Sequence, residues 1–171
     1  EVDPIEDLSG LDVAKKMVIL SRETAGIDDL ESVDDVQCES LLPAELEGWA
    51  PDAAGAPLAE QLEAALKPYD AAFAERVAAA QADGMELAYV GVLDKETGIA
   101  ELKLERRPRD DPLARSQGCN NVIAIYSERY GRHPFVIQGP AAGPMLKANG
   151  LFTDLLRLSR TLAEWNIPKI V

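Results

Sequence analysis

Histidine and cysteine are nearly missing from this 171-residue chain, which holds one histidine, His133, and two cysteines, Cys38 and Cys119. A Ser-His-Asp or Cys-His centre draws on His133 alone. That residue sits in a turn-like Gly131-Arg132-His133-Pro134 stretch, so hydrolase chemistry of this type is not expected. Neither cysteine belongs to a CxxC, and two thiols are too few for a disulfide framework or a structural zinc site; no metal ligand set is read. Reduced thiols in a cytosol-like compartment are the expectation. Basic residues are also scarce: 17 Lys and Arg stand against 30 Asp and Glu, a net charge of −13. That balance argues against sequence-independent binding to DNA, RNA or an anionic membrane, although a local pocket can still be positive. No run approaches the roughly eighteen apolar residues that cross a bilayer. There is no internal repeat, no GxGxxG after a strand and no GxxxxGK[ST] phosphate loop.

What is present is enough for a core. Apolar residues make up 47% of the chain and charged residues 27%, the composition of a folded domain of ordinary size. The chain opens on Glu1-Val2-Asp3-Pro4, which resembles neither a signal nor a transit peptide. It is expected to be cut from something longer.

Residues 1–10 read as acidic and turn-like. A helix is predicted from Leu11 to Thr24, with Leu11, Ala14, Met17, Val18 and Ser21 on one side. Ser9 is its expected N-cap, with Asp12 completing a capping box, and Gly26 its expected end. A short strand is predicted near Val36–Glu39. Two Ala-rich helices, Leu58–Leu66 and Tyr69–Ala82, follow a loop-like 47–57. Met85–Leu93 and Ile99–Arg106 alternate as hairpin strands around the Gly98 turn, and Asn121–Tyr126 and Phe135–Gln138 read as two more. A long helix with leucines at three- and four-residue spacing runs from Leu146 to Trp165. Strands cluster rather than alternate with helices, which predicts an α+β fold: a mixed, largely antiparallel sheet covered by helices. Residues 1–171 are expected to form one domain, truncated on its N-terminal side.

Three places carry candidate chemistry. Asp12 and Lys16 are four residues apart, acid before base, and share a helix face. The plain reading is a capping residue with an exposed partner. The functional reading is a pocket for a zwitterion, in which Glu1 and Asp12 hold an ammonium group and Lys16 passes a proton to or from an oxygen. A lysine among carboxylates favours its protonated form, which suits giving a proton to a developing alkoxide, hence carbonyl reduction. The second place is Gln138-Gly139-Pro140-Ala141-Ala142-Gly143-Pro144, small residues before a helix, where backbone can approach a ligand or simply turn. The third is Gly118-Cys119-Asn120-Asn121, whose thiol reads more simply as a half-buried side chain than as a nucleophile.

Glu-x-Asp-Pro-x-x-Asp-Leu-Ser-Gly-x-Asp-Val-Ala-x-Lys, Glu1 through Lys16, resembles the hallmark of homoserine dehydrogenase. Further segments fall in the same order: Leu41-Leu42-Pro43, Tyr89-Val90-Gly91, Asp111-Pro112-Leu113 leading to Gly118 and Asn121, and Gly139-Pro140-Ala141-Ala142-Gly143 running into Gly150-Leu151-Phe152-Thr153-Asp154. The resemblance covers nearly the whole chain and fits the branch of yeast, plant and bifunctional aspartokinase–homoserine dehydrogenases. It implies an NAD- or NADP-dependent oxidoreductase interconverting aspartate 4-semialdehyde and homoserine, on the route to threonine and methionine. It also implies that Glu1 and Asp12 contact substrate, that Lys16 is the catalytic proton donor, and that Gly143 touches the nicotinamide cofactor. The family's Rossmann domain, its monovalent metal site and a second lysine near the substrate are expected to lie outside this chain, the Rossmann domain in cis or in trans. The chain alone is then expected to be inactive. A homodimer in the cytoplasm, or in the plastid stroma of a plant or alga, is the implied setting. A second hypothesis is a homologue that has lost its cofactor domain and serves as a structural or interaction subunit. It is motivated by departures from the family pattern at Ala141, Pro144, Lys147 and Asn149.

Overall fold

Helix α2 (Leu11–Glu23) buries Ala14, Met17, Val18 and Ser21, the 3.6-residue stripe its sequence predicts, while Leu11 stays exposed. The computed structural model describes residues 4–24, 30–116, 118, 120–140 and 143–164. Within these the elements are α1 (Pro4–Leu8), α2, β1 (Gln37–Cys38), α3 (Leu58–Leu66), α4 (Asp70–Ala82), β2 (Met85–Asp94), β3 (Ile99–Pro108), β4 (Asn120–Ile125), β5 (Phe135–Pro140) and α5 (Pro144–Glu164). The architecture is α+β, as the clustering of strands predicts.

The chain divides into two units, Glu1–Ala114 and Arg115–Val171. In the first, the sheet order is β1-β3-β2, with β1 parallel and β2 antiparallel to β3. Leu102 pairs with Cys38 on one side and Gly91 on the other. Paired residues share a face. Leu102 and Ala100 therefore lie with Tyr89 and Leu93 towards α2, where they join Ala14, Met17, Val18, Leu30 and Val36 in one apolar cluster. The Met17 side chain lies over Gly91, its sulfur 2.7 Å from where a β-carbon would sit. Alternate β3 residues carry the charged row Glu101, Lys103, Glu105 and Arg107, tied together by ion pairs, and α4 packs against β2.

Three local expectations are corrected. Residues 4–8 are helical rather than turn-like: Pro4 pre-sets φ at the first position and lacks the N–H a first turn leaves unpaired. Ser9 does not cap α2, because its hydroxyl turns back to donate to the Glu6 carbonyl, 3.0 Å away, and closes α1 instead. Gly10 takes the N-cap position in a left-handed conformation (φ 84°), with no side-chain cap, so the Ser9–Asp12 capping box is not formed. One is formed elsewhere, between Ser32 and Asp35. Gly26 and Trp165 lie outside the described residues.

The hairpin turn is closed by Asp94, whose Oδ1 accepts the N–H groups of Glu96 (2.9 Å) and Thr97 (3.3 Å). The Thr97 side chain, then these two N–H groups, hold the Asp94 carboxyl below its ordinary value. A lowered folded-state pKa stabilises the protein above the ordinary value near 3.9, and the effect disappears as pH falls through the folded value. Asp94→Ala is thus expected to lower the melting temperature at pH 7, with the gap to the parent protein closing below about pH 4. Thermal melts at pH 7 and pH 3 check this; a gap of equal size at pH 3 contradicts it.

In the second unit β4 and β5 form a two-stranded antiparallel sheet among the described residues, with Ile123 opposite Ile137 and Ile125 opposite Phe135. These four share one exposed face. The Tyr130 and Phe135 rings stack at 5.6 Å in the connection, which also holds exposed His133 in a turn.

Candidate active site

Asp12 sits in the first turn of α2, where the unpaired N–H groups favour a carboxylate. Lys16 follows one turn later. Its Nζ donates to Asp12 Oδ2 at 2.5 Å, the acid-before-base arrangement the spacing predicts. The neighbouring Lys15 points elsewhere and pairs with Glu6 of α1, so only one of the two adjacent lysines joins Asp12. The pair is open to solvent, the side chains retaining 53% (Lys16) and 40% (Asp12) exposure. An open cleft of about 490 Å³ on the same unit is lined by Pro4, Leu8, Leu62 and Leu66 among others and includes neither residue.

Glu1 and Cys119 lie outside the described residues. Gly143 belongs to the second unit, immediately before Pro144 opens α5, and its carbonyl accepts the Lys147 N–H in the first turn, 3.2 Å away. Its φ of 120° is one that residues with a β-carbon rarely adopt, and among the described residues nothing beyond its own chain neighbours lies within 4 Å of where a β-carbon would sit. That open approach to backbone at a helix start fits the edge of a planar ring or amide.

A family model described as homoserine dehydrogenase matches residues 1–156. The chain belongs to the homoserine dehydrogenase family. It is similar to the homoserine dehydrogenase of Emericella nidulans, 36% identical over 162 residues, covering 95% of this chain and 43% of that protein. It is also similar to the chloroplastic bifunctional aspartokinase/homoserine dehydrogenase 2 of Arabidopsis thaliana, at 37% identity over 95% of this chain and 17% of that one. The chain thus spans less than half the length of these relatives. Among solved structures, a Candida auris protein described as of unknown function superimposes with a TM-score of 0.75 at 36% identity, over 94% of this chain and 42% of that one. A Staphylococcus aureus homoserine dehydrogenase superimposes with a TM-score of 0.61 at 18% identity, over 93% and 33%, and shares the fold. Homoserine dehydrogenases are oxidoreductases, and the family generally uses NAD or NADP. Among the described residues no helix is long and apolar enough to cross a membrane.

Sequence reasoning brings Asp12 and Lys16 together but passes over what surrounds them. Cys38, read as an unremarkable thiol, is free and exposed at the Gly10 corner and donates to the Ser9 carbonyl at 3.2 Å. Tyr89, given no site role by the sequence, brings its hydroxyl within 3.7 Å of the Cys38 sulfur, from 51 positions away. No local pattern signals a contact across that separation. The one visible hint is the glycine at position 10.

Proposed function

We propose that this chain supplies the substrate side of a homoserine dehydrogenase, interconverting L-aspartate 4-semialdehyde and L-homoserine with NAD or NADP, and that Lys16 is the group that exchanges the proton. The observation that carries the reading is the Lys16–Asp12 pair, placed on an open face at the start of α2 within the segment that matches the family. When bound, the nicotinamide cofactor supplies or accepts the hydride. In the reducing direction the aldehyde carbon gains that hydride and the aldehyde oxygen takes a proton from Lys16 Nζ, which gives the primary alcohol. The exposure of Lys16 lets solvent reprotonate it. A carboxylate offers about four lone-pair sites, so Asp12 can hold Lys16 through Oδ2 and receive the substrate ammonium as well. Glu1 is assigned to the same ammonium, and Gly143 to contact with the nicotinamide.

The rest of the dinucleotide site is assigned to a Rossmann domain supplied in cis or in trans, so this chain alone would not turn over. Homodimerisation and a role in threonine and methionine biosynthesis complete the reading. The chloroplastic names of the plant relatives support a plastid stroma for a plant or algal source, and the cytoplasm is the setting otherwise. The alternative of a subunit stripped of catalysis draws no support from these relatives, which are named as dehydrogenases.

The test is an assay of the complete polypeptide that carries these residues. It should oxidise homoserine with NAD or NADP and reduce the semialdehyde in reverse; no activity with either cofactor sinks the reading. In that polypeptide Asp12→Asn is expected to raise the homoserine KM about tenfold or more, through loss of a charge-assisted hydrogen bond to the ammonium. Steady-state kinetics on homoserine check it, and an unchanged KM removes Asp12 from the substrate site.

A further inference from the structure

The corner where α1 gives way to α2 is gripped by three side chains that the proton chemistry does not use. Gly10 is buried, and a β-carbon there would lie 2.3 Å from Tyr89 Oη, 2.5 Å from Cys38 Sγ and 2.8 Å from Leu102 Cδ2. One residue from each strand of the first sheet thus converges on a single α-carbon. The polar groups are held in turn. Tyr89 Oη donates to the Glu39 carbonyl at 2.5 Å, and Cys38 Sγ donates to the Ser9 carbonyl at 3.2 Å. Oη and Sγ also lie 3.7 Å from each other, a contact in which either group could donate. The same segment reaches α1 through the Leu41 N–H, which donates to the Leu8 carbonyl at 2.8 Å, and reaches β3 through the Glu39 N–H on the Leu102 carbonyl at 2.7 Å.

What this grip sets is the start of α2. Gly10 is the N-cap, and its carbonyl accepts the first helical N–H, from Ala14, at 2.9 Å. Asp12 and Lys16 both hang from the turns that follow. A shift of the corner would carry the two side chains together, keeping their ion pair but moving it away from a bound substrate. Proton transfer tolerates such displacement badly: about 1 Å of misplacement costs up to ~100-fold in rate.

We infer that Tyr89 is a positioning residue for the Asp12–Lys16 pair, its hydroxyl on the Glu39 carbonyl seating the Gly10 corner and so fixing where α2 presents Lys16. Burial first, then the Cys38 thiol and the Glu39 carboxylate, hold the phenol proton on well above its ordinary value, so the donor persists through neutral and alkaline pH. This inference rests on the role of Lys16 given above.

A double-mutant cycle in the complete polypeptide tests it, with Tyr89→Phe, Lys16→Ala and the combination. Tyr89→Phe keeps the ring packed on the apolar cluster and removes only the hydroxyl. It is expected to lower kcat for homoserine oxidation about tenfold, with the homoserine KM within about twofold. In the Lys16→Ala background the same change is expected to alter the residual kcat less than about twofold, because a group that acts through Lys16 has nothing left to position. An undiminished kcat in Tyr89→Phe overturns the inference. So does a tenfold loss of equal size in both backgrounds, or a loss that vanishes when activity is expressed per folded molecule. If Lys16→Ala alone keeps the parent kcat, the assignment of Lys16 itself has failed. If Lys16→Ala loses turnover and Tyr89→Phe does not, only the positioning role has failed.

Discussion

Lys16→Ala in the complete polypeptide is expected to lower kcat for homoserine oxidation by about 10²–10⁴-fold, the range over which a positioned proton-transfer group contributes, while the melting temperature scarcely moves. The two readouts separate because the residue does two unequal things. Structurally it is one member of a solvent-exposed ion pair one helical turn long, and such pairs contribute about 0.3–0.5 kcal/mol. Chemically it is the group assigned to hold or deliver the proton that the substrate oxygen exchanges. Lys16→Arg sharpens the result. The guanidinium keeps the positive charge beside Asp12 but does not release its proton in the accessible pH range, so turnover is expected to stay low. Near-normal turnover in Lys16→Arg would make the role electrostatic rather than one of proton transfer. Near-normal turnover in Lys16→Ala would leave Asp12 and Lys16 as a surface pair.

Gly10→Ala carries the largest expected effect on stability. Two costs fall on one methyl group. The left-handed backbone (φ 84°) costs a residue with a β-carbon about 1–2 kcal/mol. Separating Tyr89, Cys38 and Leu102 to admit that carbon adds about 1–3 kcal/mol of overpacking. The sum is a large part of the roughly 5–15 kcal/mol that holds a domain together. Gly84→Ala supplies the control, since Gly84 has φ 72° but, among the described residues, nothing beyond its own chain neighbours within 4 Å of where its β-carbon would be. Denaturant titrations of the two variants are expected to show a small loss at position 84 and a several-fold larger one at position 10. Equal losses would mean that the corner relaxes freely and that the contacts around Gly10 are not a tight fit.

How much of this was legible from residue order depends on how local each cause is. The β2–β3 hairpin was expected at Met85–Leu93 and Ile99–Arg106 and runs Met85–Asp94 and Ile99–Pro108, because alternation and a glycine turn are written within a few neighbouring positions. The Asp12–Lys16 pair was legible for the same reason, through a spacing of one helical turn. Helix α1 was not. Five residues are too few to show a periodicity, and Ser9 has two carbonyl and amide neighbours to choose between; its hydroxyl chose the helix behind it. The partner of β1 was not legible either. A two-residue strand carries no pattern, and its parallel pairing with β3 is decided by packing across the intervening helices. Cys38 reaches Gly10 from β1 and the Tyr89 hydroxyl reaches it from β2, so these contacts belong to the tertiary fold alone.

That parallel edge strand also dictates an order of assembly. The hairpin of β2 and β3 closes over a short turn and needs no distant partner, so it is expected to form early. β1 must then find β3 across a span illustrated by Glu39 Oε2 accepting the Leu104 N–H, 65 positions away, and non-local closure of this kind is slow. The corner that orients α2 is gripped from both sides of that late contact. Two residues at a sheet edge also open more readily than the long ladder beside them. The orientation of the Asp12–Lys16 pair is therefore expected to be set late in folding and to be lost in local fraying before the hairpin melts.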